Sequence, residues 1–230
     1  MRKLFYLFIF LFLFISTPAM AWMSPVIAGG GVPAAGGPSY IAGPFDFEET
    51  GTPAGWTEPG TGIDYDNTSS PLVGSQDLLI TTTNDTSRTA TVGYSISGTI
   101  YVKLMYKTGN SNTDDEDIFR FLDSGSVVLA KVMHRYNHHF YVIATGGDSD
   151  QDVATFPTDT LYVWIIFTPG TGSNASIALY YNTTDSMPET PVIQSTNGTT
   201  TNSSAEMICE ARYSDIVHID EVIIDDSPID

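Results

Sequence analysis

From Phe45 onward, apolar residues do not recur at helical spacing. Short β-branched and aromatic runs are instead broken every few residues by Gly, Asn, Asp, Ser and Pro. Such runs suit a pleated, half-buried backbone, and the breakers supply turns. The pattern predicts strands over residues 45–48, 77–81, 89–95, 99–106, 117–122, 127–134, 139–144, 160–168, 175–181, 205–212 and 217–224. Three hairpins are signalled locally. Asp123-Ser124-Gly125 closes the first, Tyr136-Asn137 the second, and the Gly-rich stretch from Pro169 to Asn174 the third. Serial hairpins imply antiparallel pairing. Many strands without helices predict an all-β chain, a two-sheet antiparallel sandwich or a barrel. Leu161 to Phe167 is apolar on both faces, as a centrally placed strand would be. Residues 182–204, rich in Thr, Ser and Asn, read as a long polar connection.

The start of the chain speaks to location. Met1-Arg2-Lys3 is positive, residues 4–15 are continuously apolar, and Ala19-Met20-Ala21 places small residues where signal peptidase cuts. A signal peptide over 1–21, cleaved before Trp22, is the expectation, because the apolar run falls short of the roughly 20 residues that span a bilayer. Residues 22–44 are rich in Gly, Ala and Pro and read as a leader; the sandwich domain is expected over 45–230. The protein is thus expected to be secreted, extracellular or held in the periplasm or at the cell surface. With no second long apolar stretch, no membrane insertion is expected after cleavage. The formal net charge of −18 grows more negative when Arg2 and Lys3 leave. That charge disfavours nucleic acid and anionic lipid as partners. The single cysteine, Cys209, reads as a buried apolar residue.

The segment IVHIDEVIIDD, Ile216 to Asp226, concentrates the acids. Strict alternation puts His218, Asp220, Val222 and Ile224 on one face, and Val217, Ile219, Glu221, Ile223 and Asp225 on the other. Glu221 and Asp225 then lie roughly 13 Å apart, too far for a glycosidase pair, which needs about 5–9.5 Å. Histidines 134, 138 and 139 invite a zinc reading. A turn at Tyr136-Asn137 sets His134 opposite His139 on one face, but two ligands do not close a zinc site. The acid runs at 114–117 and 148–152 read as solvated loops. Trp56, Tyr65 and Tyr136 lie in or near loops and are candidates for stacking on sugar rings. Trp56 equally suits packing beneath the first loop, and Trp164, Phe167 and Phe140 read as core.

In order along the chain stand Phe45-Asp46-Phe47-Glu48-Glu49, Gly51-Thr52-Pro53-Ala54-Gly55-Trp56, Asp64-Tyr65-Asp66 and the stretch from Pro71 to Ile80. Then come Tyr162-Val163-Trp164, the turn from Gly170 to Ala175, and Ile219-Asp220-Glu221-Val222. This order resembles the concanavalin A-like lectin/glucanase jelly rolls, in the laminin-G-like branch, over nearly the whole chain after the leader. The opening FE…G…W and the closing IDEV also resemble carbohydrate-binding modules of the galactose-binding-like type. The resemblance implies a jelly-roll sandwich that binds a glycan or polysaccharide. It also implies a structural calcium tying the chain ends, with Glu48 and Asp220 at the family-like positions and Asp46 as a further ligand. Catalytic members carry two glutamates flanking an aspartate on one strand, a run lacking here, so a non-catalytic lectin-like module is expected. The alternative is a structural or adhesive surface protein without a small ligand, while a hydrolase would need two acids facing each other across a groove.

Overall fold

The computed structural model describes residues 40–57, 61–83, 86–109, 116–135, 139–151, 159–213 and 215–229. Its regular elements are strands: β1 (Ala42–Phe45), β2 (Trp56–Thr57), β3 (Ile63–Asn67), β4 (Asp77–Thr81), β5 (Arg88–Ser97), β6 (Ile100–Thr108), β7 (Glu116–Leu122), β8 (Val128–His134), β9 (Phe140–Ala144), β10 (Ser149–Gln151), β11 (Leu161–Thr168), β12 (Ala175–Asn182), β13 (Ile193–Gly198), β14 (Ser203–Ala211) and β15 (Ile216–Asp225). They form two antiparallel sheets. The eight-stranded sheet runs β13-β12-β11-β6-β15-β4-β3, with β1 also paired to β15; the seven-stranded sheet runs β10-β9-β8-β7-β14-β5-β2. This is the expected all-β sandwich. Among the described residues no helix is long and apolar enough to cross a membrane.

The core lies between the sheets and follows the two-residue period of each strand. Leu161, Val163, Ile165 and Phe167 of β11 and Ile100, Val102, Leu104 and Tyr106 of β6 face Phe119 and Phe121 of β7, Val132 of β8 and Phe140 of β9; all are buried. Cys209 is buried among them, and burial pushes its thiol pKa up, which suits an inert apolar role.

The strands absent from the sequence reading are β2, β3, β10 and β13, which are the four sheet edges. They are two to six residues long, and β3 (IDYDN) and β13 (IQSTNG) are polar. Short, polar edges resist unwanted pairing with other chains, and for that reason they carry little strand signal. The polar connection over 182–204 is corrected accordingly, since it contains β13. The first strand also starts at Ala42, ahead of the expected 45–48. The hairpin register differs as well. His134 pairs with Phe140 and is fully buried, so it faces the core while His139 lies on the other face. The expected His134–His139 juxtaposition does not form.

Strand β15 departs from strict alternation. Its first half pairs with β4 and its second with β1, while β6 follows both halves with a register shift between Asp220 and Ile223. Glu221 sits at that shift with φ 49°, in the left-handed region. The extra residue reverses the faces, so that Val217, Ile219, Val222 and Ile224 are all buried in the core. The sequence reading had placed the last two with His218 and Asp220. The strand β1 can reach this half only because of Gly43, at φ 97°, where an added Cβ would stand 2.3 Å from the Val222 carbonyl oxygen. Gly43→Ala is therefore expected to cost about 2 kcal/mol or more in urea denaturation, since it combines a left-handed φ with a backbone clash. Glu221→Gly, relieved of a left-handed penalty of roughly 1 kcal/mol, should leave stability unchanged or raise it.

Candidate functional site

The two described aromatics expected to stack on sugar are in the core. Trp56 and Tyr65 are each 4% exposed. They form a box with Phe45 and Phe47, Trp56 meeting Phe45 edge-on at 5.7 Å, Phe47 at 5.4 Å and Tyr65 at 6.0 Å. The box is part of the buried core beside β1, β2 and β3. Hydrophobic burial claims both rings, so neither offers a face to a ligand. Tyr136 lies outside the described residues.

Two of the three expected calcium ligands have a common target. Glu48 accepts backbone N–H bonds from Ser75 at 2.7 Å and Gln76 at 3.3 Å, and the Ser75 hydroxyl donates to its other oxygen. These bonds, the hydroxyl first, hold its pKa below the usual carboxylate range. Gly74, at φ 65°, leaves room for that carboxylate, which an added Cβ would meet at 1.9 Å. Asp220 accepts from the Val73 N–H at 3.2 Å and from the Glu221 N–H at 2.8 Å. Asp46 turns inward on its own segment, accepting from the Glu48 N–H at 3.4 Å. Glu48 and Asp220 thus staple one loop, residues 71–76, from opposite ends of the chain. Asp77, which the sequence reading did not single out, joins them. Fully buried, it accepts from Leu72 N–H at 3.1 Å and Asn67 Nδ2 at 2.5 Å, and contacts His218 Nδ1 at 2.9 Å. The carboxylates face N–H donors rather than a shared centre, and among the described residues no group of three or more His, Cys, Asp or Glu is placed to hold a metal. In this arrangement Glu48, Asp220 and Asp46 do not fit calcium.

A different grouping lies on the outer face of the seven-stranded sheet. The buried Phe119, Phe121, Ala130, Val132, Phe140 and Val142 fix which residues point outward. Arg120, Lys131 and Ile143 lie in one cross-strand row, and Met133 and Tyr141 in the next. Arg135 and His139 close the strip, with the Arg135 guanidinium 4.2 Å above the Tyr141 ring. Arg120 is held by Glu210 at 2.6 Å and Lys131 by Asp117 at 2.9 Å. Arg120 Nε and His139 Nδ1 are buried yet have no hydrogen-bond partner. Three of the nine Lys and Arg residues of an acidic chain thus lie on this strip, with Arg135 against Tyr141. Sequence spacing hides this strip, because it draws on three strands and depends on a hairpin register that the spacing does not settle.

No protein-family profile matches the chain, and no curated protein matches it in sequence. Solved structures do share its fold. A sialidase superposes with a TM-score of 0.52 at 12% identity, over 74% of this chain and 17% of the sialidase. An endo-β-1,4-glucuronan lyase from the fungus Trichoderma reesei does so at 0.50 and 11%, over 75% of this chain and 94% of the lyase. A structure described by the cell entry of botulinum neurotoxin type C through two ganglioside molecules does so at 0.53 and 11%, over 77% of this chain and 44% of the toxin chain. The chain therefore spans only part of the sialidase and the toxin. At such identities the likeness shows the β-sandwich and nothing narrower.

One expectation falls here. The sandwich was read as a non-catalytic module, yet the same sandwich makes up almost the whole of a polysaccharide lyase. The architecture therefore does not set this chain apart from enzymes.

Burial pushes the Asp220 carboxyl up to about 7, with Glu221 and Asp77 adding to the rise against the two N–H bonds. A carboxyl raised in the folded state favours the neutral form, so its contribution to stability is complete below its ordinary value of 3.8 and is lost as pH climbs through about 7. Asp220→Asn should flatten that decline and melt higher than the parent at pH 8. Thermal melts from pH 4 to 8 check this, and an unchanged slope would count against it.

Proposed function

We propose that this chain binds a glycan across the outer face of the seven-stranded sheet, as an exported, lectin-like sandwich of the concanavalin A-like, laminin-G-like kind. The observation that carries this reading is the strip of Arg120, Lys131, Met133, Arg135, His139 and Tyr141 on three adjacent strands. A pyranose offers an apolar ring face and a rim of hydroxyls. Tyr141 and Met133 supply the apolar contact, and the partnerless Arg120 Nε and His139 Nδ1 suit the rim. Buried polar atoms without partners are costly, so a ligand that satisfies them gains affinity. The strip crosses three strands at about 4.8 Å per step, so it suits an extended chain more than a single sugar.

Charge has a subordinate part. Arg120 and Lys131 already have acid partners, and the chain carries −18 overall. Recognition therefore rests on stacking and hydrogen bonds rather than on neutralising a polyanion, which implies a shallow salt dependence.

A glycan array on residues 22–230, with calcium and again with a chelator, tests the reading. We expect binding that is alike in both conditions and changes little between low and physiological salt. Tyr141→Ala should weaken the best glycan at least about tenfold, the loss of one stacked ring at roughly 1.4 kcal/mol. An array without hits would overturn the reading in favour of a structural or adhesive surface protein. Mass spectrometry of the bound glycan after incubation shows whether binding is accompanied by cleavage.

A further inference from the structure

The other outer face holds a second feature. On β11 the residues Leu161, Val163, Ile165 and Phe167 face the core, so Tyr162, Trp164 and Ile166 face outward. Trp164 is nevertheless only 2% exposed. Its ring stacks on Tyr162 at 6.3 Å and 28°, and Lys103 Nζ stands 5.7 Å from its centroid while pairing with Asp185 at 2.7 Å. The segment after β15 covers it. The Asp225 carboxylate accepts from Asp226 N–H at 2.9 Å and from the Ser227 hydroxyl at 2.7 Å, turning the chain back across the sheet. Ile229 ends up 7% exposed.

This covering does not fill the space. A cavity of about 170 Å³ remains, lined by Tyr101, Trp164, Ile166, Met187, Pro228 and Ile229 among others. Its wall is almost wholly apolar and one side opens to solvent, and an apolar cavity of roughly 150 Å³ accepts a benzene-sized ring. The indole Nε1 of Trp164 is buried and has no hydrogen-bond partner. We infer that this cavity is a binding site for a small uncharged six-membered ring, alicyclic or aromatic, bearing a single hydrogen-bond acceptor that takes the Trp164 N–H. A charged ligand would lose its hydration without gaining a counter-ion, because Lys103 is already paired with Asp185. A free sugar would set several hydroxyls against an apolar wall, each a desolvation cost. The site is independent of the strip on the opposite sheet.

The test is a titration of the full chain with cyclohexanone and with its acceptor-free isostere methylenecyclohexane, followed by the three indole N–H signals in ¹H–¹⁵N spectra. Trp164→Phe identifies the Trp164 signal. Cyclohexanone should shift that signal saturably and bind roughly two- to tenfold tighter than the isostere, the worth of one hydrogen bond. In Trp164→Phe, thermal shifts should show the two probes bound alike. Ile166→Phe and Met187→Phe, which fill the cavity from different walls, should abolish binding of both. The site is overturned if neither probe gives a saturable shift, or if a folded cavity-filling variant binds as the parent does. Equal affinity of the parent for the two probes would overturn the acceptor assignment.

Discussion

The last strand carries more of the architecture than any other. One edge of β15 is shared between β4 and β1, and the other belongs to β6 along its whole length. Two strands can follow one another along a single edge only if the strand keeps both halves buried, and the extra residue at Asp220–Glu221 does this. It brings Val217 and Ile219 into the same core as Val222 and Ile224. The gap between β4 and β1 falls at the same place. The chain fills it with the loop 71–76, which lies close enough for Asp220 to accept the Val73 N–H. A backbone irregularity, a buried acid and a loop anchor are therefore consequences of one packing requirement.

Acids in this region bind backbone donors in place of water. Glu48, Asp77 and Asp220 between them accept N–H bonds from Leu72, Val73, Ser75 and Gln76. Carboxylate acceptors make stronger bonds than neutral ones, so a loop without regular structure is held at several points. The cost differs among the three. Glu48 is at the surface and is held ionised by its bonds, whereas burial pushes Asp220 toward its neutral form. A calcium ion would be another way to hold the same loop. The hydrogen-bonded staple already provides an equivalent tie between the two ends of the domain.

The sequence was legible where burial writes a regular pattern. Strands such as β5 and β6 place apolar residues on alternate positions because one face must be dry, and their positions could be read within a few residues. The edge strands β2, β3, β10 and β13 could not, since an edge is made safe by being short and polar. The faces of β15 were misread beyond Asp220, because a bulge inserts a residue without leaving a compositional mark other than a Glu in a left-handed conformation. Of the candidate site, Glu48 and Asp220 reach one loop, 71–76, where backbone N–H groups are their partners. Trp56 and Tyr65 are large rings near loops, and such rings serve equally well as core plugs or as platforms; only the packing of Phe45 and Phe47 against them decides. The strip around Tyr141 needed three strands in register, and register comes from tertiary contacts.

A sandwich has two outer faces, and here they are chemically distinct. The seven-stranded sheet presents half-buried cations, a tyrosine and two buried polar atoms without hydrogen-bond partners. The eight-stranded sheet has its most aromatic region roofed by the segment after β15 and its acidic region roofed by the loop 71–76. The glycan site proposed above uses the first of these faces. The second sheet carries the partly open apolar pocket beside Trp164. The same division explains why likeness of fold does not decide between binding and catalysis. The core between the sheets sets the architecture, while the groups on the open face set the chemistry, and at 11–12% identity only the former is shared.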